Sequence, residues 1–462
     1  MHLNTDILAK LTPEFIQRYN KPGPRYTSYP TIPNWKNGYF KEELSKYLIL
    51  AGTHKREFSL YIHLPFCQRL CTFCGCNQYI TNNPKIVKDY MQSLHNELAW
   101  VANQLGGKRS LRQLHLGGGT PTYLSLAQLQ SLWQSITENF DLTPDPELAI
   151  EIHPGVTEWA QLDWLASVGF KRLSLGVQDL NPEVQRAINR FQTAEQTWGI
   201  LRKSRELGFQ SINLDLVYGL PKQTNEHFAE TLAAVIENRP ERLAIYSFAY
   251  IPGRFRTHKR AIREEDLPSS TQKLQLYLQT IQAFSRAGYQ MIGMDHYAVP
   301  EDELAKALIN HSLHRNFMGY TTLKGLSQLG VGMSAISDFG DGYFQNEKNL
   351  SRYMEAWLHN RPVPVVHQEL DKDDLLRREI IDSLMCHGYL KIMTIEERFG
   401  INFSEYFMDV LDRLKPMVFE GLISYTKDEL RVEPIGQIFI RNIVMIFDSY
   451  IDRNFTQYSK TI

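Results

Sequence analysis

Short runs rich in β-branched and aromatic residues alternate with longer stretches in which apolar residues recur at helical spacing. The runs predicted to be strands are Phe58–Leu64, Gln113–Leu116, Leu148–His153, Arg172–Gln178, Ile212–Tyr218 and Leu243–Tyr250. The stretches predicted to be helices are Pro84–Leu105, Leu126–Asn139, Thr157–Val168, Ala194–Leu207, Glu226–Asn238 and Ser270–Ala287. This alternation predicts an α/β fold with a parallel sheet, whose functional residues lie at the carboxyl ends of the strands.

The number of strands favours a partial (βα)6 TIM-like barrel over a closed barrel, while a doubly wound open sheet would give the same alternation. Residues 1–50 lack the pattern, and after about residue 365 the chain is mostly helical. Within that last part, Leu422–Tyr425 and Leu430–Val432 flank a polar turn and predict a hairpin. We therefore predict an N-terminal extension (1–50), a barrel (51–365) and a small, mainly helical C-terminal domain (366–462).

The cysteines are unevenly placed. The chain has only five, and four of them, Cys67, Cys71, Cys74 and Cys76, fall within ten residues. Thiolates this close together predict a metal site, for which zinc and iron–sulfur are the alternatives. Structural zinc usually takes two Cys or His pairs, and no second pair follows at finger spacing. The spacing C-x3-C-x2-C favours iron–sulfur, because a four-iron cluster held by three thiolates keeps one iron open for a small molecule.

Composition excludes several classes of function. Fifty basic and fifty-one acidic residues give a net charge of −1, so the chain lacks the basic footprint of a nucleic-acid-binding protein. No apolar stretch approaches the roughly 18 residues of a membrane span, and the N-terminus has no secretory apolar core. Free thiols and an oxygen-sensitive cluster predict a reducing cytoplasm.

Polar residues and glycines stand at the carboxyl ends of the predicted strands. They are Tyr61, His63, Gly117–Thr120, Glu151, Gln178 and Asp215, with Arg190 shortly after the fourth strand. Burying such groups is costly unless they are paired, which favours a ligand or an internal network. Glycines let the backbone approach a ligand closely. A buried tyrosine or histidine is more often a core residue, and the alternative for Arg190 is a surface ion pair.

The cysteine spacing resembles that of the radical S-adenosylmethionine (SAM) enzymes. Longer blocks of sequence resemble one family among these enzymes. The chain is similar throughout to the oxygen-independent coproporphyrinogen III oxidases in the blocks GPRYTSYPT (23–31), YIHLPFCQRLCTFCGCN (61–77), LHLGGGTPTYL (114–124), LSLGVQD (173–179), DLVYGLPKQT (215–224), GMDHYA (293–298), LHRNFMGYTT (313–322) and GVGMSAIS (330–337). A haem chaperone on the same scaffold, with His63, His296 or His314 as axial ligand, is one alternative. A haem-opening methyltransferase is another. The PRYTSYP block and the fourth cysteine of the loop favour the oxidase over the chaperone.

The resemblance implies a reaction and its cofactors. The family oxidatively decarboxylates the ring A and B propionates of coproporphyrinogen III to vinyl groups, which gives protoporphyrinogen IX in haem (porphyrin) biosynthesis. It uses a [4Fe–4S] cluster, here on Cys67, Cys71 and Cys74, and two SAM molecules. The implied partners are a reductant of the flavodoxin or ferredoxin type and an unknown electron acceptor, and the implied oligomeric state is a monomer.

The resemblance also implies site residues. The first SAM would contact Tyr61, Phe73, Gly118 and Glu151. The second would contact Gly119, Thr120, Gln178, Arg190, Asp215, Ala249 and Ile336. The candidate catalytic residues are Tyr61, His63 and Cys76, although Cys76 fits plain packing equally well. Arg25 and Arg315 are candidates to bind the four carboxylates of the substrate, and the equal alternative is internal pairing that holds the N-terminal segment. The segment Pro24–Pro30 would cover the site.

Serine substitutions test the ligand assignment. Replacing Cys67, Cys71 or Cys74 should remove a cluster ligand, so each variant should lose iron and SAM cleavage after anaerobic reconstitution. Cys386→Ser is the control and should retain both. A loss confined to Cys386→Ser, with full iron content in the three loop variants, would refute the assignment.

Overall fold

Strands and helices alternate between residues 58 and 247 largely where the apolar pattern predicts them. The structure is a computed structural model that describes residues 10–54, 57–253, 256–451 and 458–461. Residues 1–9 of the predicted N-terminal extension lie outside the described residues. Two compact units are present. We call Lys36–Leu216 with Gly325–Glu369 the cysteine unit, and Met1–Trp35 with Val217–Lys324 and Leu370–Ile462 the terminal unit.

The helices and strands are numbered in chain order. The helices are α1 Pro13–Tyr19, α2 Lys41–Thr53, α3 Pro84–Gln104, α4 Leu126–Asn139, α5 Trp159–Ser167, α6 Pro182–Ala187, α7 Ala194–Glu206, α8 Asn225–Asn238, α9 Arg256–Ala261, α10 Ser270–Arg286, α11 Glu303–Ile309, α12 Leu350–Leu358, α13 Lys372–His387, α14 Ile392–Phe399, α15 Phe403–Tyr406, α16 Met408–Phe419, α17 Pro434–Ile438 and α18 Ile440–Val444. The strands are β1 Lys36–Asn37, β2 Phe58–Leu64, β3 Phe66–Cys67, β4 Tyr79–Ile80, β5 Ser110–Gly118, β6 Asp141–Ile152, β7 Arg172–Gln178, β8 Ser211–Tyr218, β9 Arg242–Ser247, β10 Gln290–Gly293, β11 His296–Ala298, β12 His314–Asn316, β13 Gly319–Thr321, β14 Ser327–Val331, β15 Ile336–Asp338, β16 Gly342–Asn346, β17 Pro364–Glu369, β18 Tyr389–Lys391, β19 Ile423–Tyr425 and β20 Glu429–Val432.

A largely parallel sheet forms the centre of the cysteine unit. Its strands lie in the order β1-β17-β16-β15-β14-β2-β5-β6-β7-β8. The run β14-β2-β5-β6-β7-β8 is parallel throughout, and β15, β16, β17 and β1 continue it in antiparallel fashion. Parallel strands joined by helices confirm the predicted α/β class, and they bring the strand ends named above to one edge.

Three strands differ by more than two residues from their predicted bounds, and the first of them, β5, begins at Ser110 rather than Gln113. Strand β6 begins at Asp141, well before the predicted Leu148, and Ser110 and Leu111 pair with its early residues. The prolines in Asp141–Glu147 argue against a strand in this part of the sequence, because proline is depleted in strands. Strand β9 ends at Ser247 rather than Tyr250, shortly before the turn at Pro252 and Gly253.

Helix α3 shows why the apolar pattern predicts helices well here. Asn83 caps its first turn through a hydrogen bond from the backbone N–H of Lys85, and Pro84 occupies its first position. Of the apolar face predicted for this stretch, all members except Ile86 are buried: Val87, Tyr90, Met91, Leu94, Leu98, Val101 and Leu105. This burial is the main source of stability for the helix.

A buried carboxylate on α3 fixes the turn after β14. Glu97 accepts hydrogen bonds from the backbone N–H of Gly332 (2.8 Å), from Asn346 (2.6 Å) and from the hydroxyl of Tyr353. Burial has the largest effect and raises the pKa of Glu97 to about 7, although the three donors oppose it.

Tyr90 lies two turns before Glu97 on the same helix. Its hydroxyl donates to the carbonyl oxygen of His63 (2.6 Å) and accepts from the backbone N–H of Met333 (3.1 Å). Helix α3 therefore ties the carboxyl end of β2 to the turn after β14.

The terminal unit contains strands β9 to β11, the two-stranded sheet β12-β13, the three-stranded sheet β18-β20-β19 and most of the later helices. Strand β9, the sixth predicted strand, pairs antiparallel with β11, which pairs with β10. The predicted hairpin is confirmed as β19 and β20, and β18 adds a third strand that the sequence did not reveal. Helices α13 to α18 precede, separate and follow these three strands along the chain, as expected of a mainly helical C-terminal region. The predicted domain bounds at residues 50 and 365 stay predictions.

Within the described ranges, no helix combines the length and the apolar character needed to cross a bilayer.

The titration of Glu97 generates a pH-dependent prediction. Its folded-state pKa of about 7 lies above its ordinary value of 4.5, so the folded protein binds more protons than the unfolded chain between these values. The contribution of Glu97 to stability is therefore greatest at low pH and falls as the pH rises through about 7. Because Glu97→Gln does not titrate, we expect the thermal stability of the wild type relative to this variant to fall between about pH 5 and about pH 8.

Glu195→Gln, at an exposed ion pair with Arg202, is the matched control for this measurement. Its stability difference from the wild type should change little over the same pH range. A Glu97→Gln difference that stays constant with pH would contradict the assignment.

Candidate active site

The cysteine loop, residues 67–78, is closed at its base by strands β3 and β4. These strands pair in parallel, with Cys67 opposite Ile80. Deeper in the loop, Asn189 donates a hydrogen bond to the carbonyl oxygen of Leu70 (2.8 Å), and the backbone N–H of Thr72 donates to Ile188 (3.0 Å). The pairing of β3 with β4 therefore holds the base of the loop, and the segment that follows α6 holds its middle.

Tyr61 and His63 form a polar chain to the end of the loop. The Nε2 atom of His63 lies 2.7 Å from the carbonyl oxygen of Asn77, so this nitrogen carries the proton. The hydroxyl of Tyr61 then donates to Nδ1 of His63 (3.1 Å). Burial lowers the pKa of His63 and raises that of Tyr61, which keeps both side chains neutral.

The glycine turn after β5 packs against the start of the cysteine loop. The backbone N–H groups of Gly119 and Thr120 donate to the carbonyl oxygens of Leu64 (2.8 Å) and Phe66 (2.9 Å). A Cβ atom at Gly119 would lie 2.5 Å from the carbonyl oxygen of Pro65, which is closer than atoms can pack. Glycine is thus required for the close approach of two backbones.

The thiols of the loop have polar neighbours. The Sγ atom of Cys67 lies 3.5 Å from the hydroxyl of Thr120, and Arg190 donates to Sγ of Cys71 at 3.9 Å. Burial raises the pKa of Cys67 to about 11 and also raises that of Cys71. A hydrogen bond with Cys76 lowers the pKa of Cys74 to about 7. Protons therefore occupy Cys67 and Cys71 until a metal displaces them.

Glu151 lies at the end of β6 and faces the glycine turn. It accepts hydrogen bonds from the backbone N–H of Gly118 (3.0 Å) and from Nε2 of His115 (3.1 Å). Burial alone would raise the pKa of Glu151, but the hydrogen bonds from His115 and from the backbone N–H of Gly118 lower it. The carboxylate is therefore ionised and fixed in orientation.

Arg190 and Asp215 are the other buried charges of the site. Arg190 donates to the carbonyl oxygen of Gly176 and to Gln192 (3.0 Å) besides Cys71. Asp215 accepts from Ser174 (3.0 Å) and Asn213 (2.8 Å). Burial and the negative charge of Glu151 raise the pKa of Asp215 to about 7.

Gln178 ends β7 with a φ of +71°, in the left-handed region that non-glycine residues rarely adopt. Such a conformation costs free energy, and it often marks a functional site.

Many of these side chains line one cavity of about 320 Å³. Of the predicted site residues, the lining contains Cys67, Cys71, Phe73, Cys74, Cys76, Gly118, Gly119, Thr120, Glu151, Gln178, Arg190 and Asp215. The volume is near the lower end of ordinary ligand sites, which span about 300–1,000 Å³. The structure thus brings these twelve residues together at one cavity, and their roles stay predictions.

The donor set at this wall fits an iron–sulfur cluster. Cys67, Cys71 and Cys74 are free thiols on one loop beside a guanidinium, and soft thiolates are the ligands of such clusters. No group of three or more His, Cys, Asp or Glu side chains in the described residues is placed to hold a single metal ion. The ligand assignment therefore rests on spacing and donor chemistry, and it stays a prediction.

Four residues of the predicted catalytic and SAM-contact sets lie off the cavity wall. Tyr61 and His63 are behind it, where they hold the cysteine loop through the polar chain described above. Ile336 begins β15, where its carbonyl oxygen accepts a hydrogen bond from Gln328 (3.0 Å). Ala249 belongs to the terminal unit.

Arg25 and Arg315 both lie in the terminal unit and are internally bonded. Arg25 pairs with Asp295, and Arg315 donates to the backbone carbonyl oxygens of Arg25 (2.7 Å) and Tyr26 (3.4 Å). Arg315 therefore holds the N-terminal segment, as the alternative interpretation of this residue expects.

Sequence reasoning missed several lining residues. Ser174 and Gly176 precede Gln178 on β7 at two-residue spacing, so strand alternation would have found them. His153 stands two residues after Glu151 at the end of the third predicted strand, so the same alternation would have found it. Phe191 lies in a loop, where no period identifies it. His153 accepts a hydrogen bond from the backbone N–H of Gly155 (3.0 Å), and burial lowers the pKa of its imidazole to about 3.

Comparisons with known proteins agree with one another. The chain matches the family model described as the radical SAM superfamily over residues 61–235 and the HemN C-terminal domain over residues 370–439. It is 43% identical over 449 residues to the oxygen-independent coproporphyrinogen III oxidase of Salmonella typhimurium, with 97% of each chain covered. The identity to the Escherichia coli K12 protein of that description is also 43%, with 97% of each chain covered.

One solved structure is similar over nearly the whole chain. It is described as the coproporphyrinogen III oxidase (HemN) from Escherichia coli, a radical SAM enzyme. The TM-score is 0.89 at 42% identity, and the match covers 92% of this chain and 97% of the other.

The close contact at Gly119 leads to a prediction. Gly119→Ala should push residues 65–67 away from the glycine turn, because backbone atoms of Pro65 and Phe66 lie within 3 Å of the new Cβ. We expect less iron per chain after anaerobic reconstitution. Gly199→Ala on α7 is the control: nothing lies within 4 Å of its Cβ, so it should keep its iron and gain about 0.5–1 kcal/mol of stability. Equal iron in the two variants would disprove the positional role of Gly119.

Proposed function

The chain belongs to the family of oxygen-independent coproporphyrinogen III oxidases, which are radical SAM enzymes, and from this membership we propose how its residues carry out the family's reaction. That reaction converts the propionates on rings A and B of coproporphyrinogen III to vinyl groups and gives protoporphyrinogen IX in haem biosynthesis. For each propionate, a hydrogen atom leaves the β-carbon, carbon dioxide leaves the side chain, and one electron passes to an acceptor.

Cys67, Cys71 and Cys74 are proposed to hold a [4Fe–4S] cluster with one iron open for SAM. When bound, the cluster and SAM supply the 5′-deoxyadenosyl radical that takes the hydrogen atom. The guanidinium of Arg190 beside Cys71 reduces the negative charge that three thiolates bring to the loop. Tyr61 and His63 act as positioning residues, because their polar chain ends on the carbonyl oxygen of Asn77 in the same loop.

Acidic groups in the cavity suit the positive charges of SAM. Glu151 faces the glycine turn, and Asp215 lies at the end of β8, so the wall offers two carboxylates to the amino group and sulfonium of a ligand. Arg190 is proposed to bind the SAM carboxylate. Cys76 lines the same cavity, and this supports its proposed place near the reacting atoms.

Two SAM molecules per chain are proposed, one for each propionate. Members of both predicted contact sets line the cavity: Phe73, Gly118 and Glu151 from the first set, and Gly119, Thr120, Gln178, Arg190 and Asp215 from the second. The cavity volume of about 320 Å³ suits one such ligand. Ala249 and Ile336, which do not line this cavity, stay proposed contacts of the second SAM.

Electron transfer completes the proposal. Gln68 and Arg69 in the cysteine loop are exposed, which supports electron entry there from a reductant of the flavodoxin or ferredoxin type. An unidentified acceptor takes the substrate electron. We also propose that the protein is a monomer and that its N-terminal segment covers the site. The proposed compartment is a reducing cytoplasm, which the five free thiols support.

The observation that carries the proposal is the single cavity that joins three free cysteines, a glycine turn and buried acids at parallel strand ends. We expect reduced, cluster-loaded protein to convert coproporphyrinogen III to protoporphyrinogen IX anaerobically, with two 5′-deoxyadenosines formed per product. Chromatography after oxidation measures both. Equilibrium dialysis should count two SAM per wild-type chain and one for Asp215→Asn, since this variant removes a charge assigned to the second SAM.

The exposed Asp163→Asn, on α5 away from the cavity lining, is the matched control and should bind as the wild type does. If SAM is cleaved but coproporphyrinogen III is not consumed, the proposed substrate is wrong. One SAM per wild-type chain would contradict the stoichiometry.

A further inference from the structure

His115 lies on strand β5 beside the predicted SAM-contact residues, and the function proposed above gives it no role. Parallel pairing sets it opposite Tyr61, so the two side chains share one face of the sheet. Their rings stack, with centroids 5.8 Å apart and an angle of 25° between the ring planes. This stacking fixes the orientation of the imidazole.

The imidazole of His115 is bonded to one oxygen of Glu151. Its Nε2 atom lies 3.1 Å from Oε1. Because an ionised carboxylate only accepts hydrogen bonds, this nitrogen carries the proton. The other oxygen, Oε2, accepts a hydrogen bond from the backbone N–H of Gly118 (3.0 Å). One donor therefore holds each oxygen, and the two donors together fix the rotation of the carboxylate about its terminal bond.

Gly117 provides the space that this carboxylate occupies. It stands two residues after His115 on β5 and so faces the same side of the sheet. A Cβ atom at Gly117 would lie 2.9 Å from Oε1 of Glu151 and 3.0 Å from Cε2 of Tyr61, which is too close for ordinary packing. The carboxylate therefore packs against backbone at Gly117. Among the residues that the structure describes, His115 is the only side chain that donates to it.

Glu151 keeps the capacity to bind a ligand. Each carboxylate oxygen can accept two hydrogen bonds, and each has one donor here. The side chain is 40% exposed and lines the main cavity, whereas His115 is not among the lining residues. Burial raises the pKa of Glu151, and the hydrogen bond from His115 is the largest of the effects that lower it. An effect of His115 on a ligand in the cavity therefore passes through Glu151.

We propose that His115 is a positioning residue for SAM binding: its Nε2–H group aims the carboxylate of Glu151 into the cavity, where the carboxylate binds a positively charged group of the first SAM. The inference rests on the function proposed above, which assigns Glu151 to that SAM. Without the imidazole donor, Oε1 loses its partner, and only Gly118 restricts rotation of the carboxylate. Ordering the carboxylate again when SAM binds costs conformational entropy, so the affinity falls.

Three substitutions at His115 separate the donor from the ring. His115→Phe keeps an aromatic ring against Tyr61 and removes the donor. The amide nitrogen of His115→Gln can take the place of Nε2, whereas the shorter side chain of His115→Asn puts its amide near the place of Nδ1. A positioning role predicts that His115→Gln binds SAM more tightly than His115→Asn and His115→Phe do. A packing role predicts instead that His115→Phe is closest to the wild type.

Equilibrium dialysis of labelled SAM against anaerobic, cluster-loaded protein measures these affinities, and Glu151→Gln identifies the SAM site that depends on the carboxylate. At that site we expect the Kd to rise about ten-fold for His115→Phe and His115→Asn and at most about three-fold for His115→Gln, since one charge-assisted hydrogen bond is lost or kept. His359→Phe, at an exposed histidine that ends α12, is the matched control and should leave the Kd unchanged. Unchanged melting temperature and iron content confirm that the variants fold.

A double-mutant cycle tests the route through Glu151. In the Glu151→Gln background, His115→Phe should cause no further loss of SAM affinity. A loss of the same size in both backgrounds would overturn the inference, because His115 would then act on SAM without Glu151.

Three other results would also overturn the inference. They are wild-type affinity in His115→Phe, equal losses in His115→Gln and His115→Phe, and a Glu151→Gln variant in which neither SAM site is weakened. Failure of the proposed function is distinguishable, because the wild type would then leave coproporphyrinogen III unconverted while the order of SAM affinities among the His115 variants persisted.

Discussion

The parallel pairing of β2 with β5 is the constraint on which the site depends. Its register sets His63 opposite Gly117 and Leu64 opposite Gly118, so the cysteine loop and the glycine turn leave the sheet side by side. The contact between them is too close for any side chain at Gly119. A change of one residue in this register would turn every inward side chain to the other face and separate the thiols from their neighbours.

The same register continues across the sheet and builds a polar layer inside an otherwise apolar structure. Tyr61 pairs with His115, Glu151 with Ser174, and Gly176 with Asp215. Apolar neighbours on either side of these positions are buried, so the cost of the polar layer is offset by its own hydrogen bonds and by ligands. Glu151 and Asp215 contribute negative charge, and Arg190 contributes positive charge. A ligand that carries both a positive and a negative group suits this arrangement.

The sequence was most informative where a local rule decides the structure. Helix α3 could be placed because its cap, its initial proline and its apolar stripe agree. The strand ends could be placed because parallel strands share one edge, and the thiols because their spacing is dense. Local rules did not reveal the early part of β6, whose prolines disguise a strand, or strand β18, which is too short to show a period.

Long-range contacts account for the rest of what was missed. Phe191 reaches the cavity from a loop, and its place depends on chain turns that no spacing encodes. The ion pair of Arg25 with Asp295 joins two segments that lie far apart in the sequence. Arg315 lies in a block that suggested a substrate contact, yet its hydrogen bonds hold backbone.

The most direct test of the proposed reaction traces the hydrogen atom that is removed from each propionate. Coproporphyrinogen III carrying deuterium at the β-carbons of its propionates is turned over anaerobically with cluster-loaded enzyme and SAM, and the 5′-deoxyadenosine is analysed by mass spectrometry. The account predicts one deuterium in each 5′-deoxyadenosine, with one molecule formed per vinyl group. Vinyl products accompanied by unlabelled 5′-deoxyadenosine would contradict it, because the hydrogen atom would then leave the substrate by another route.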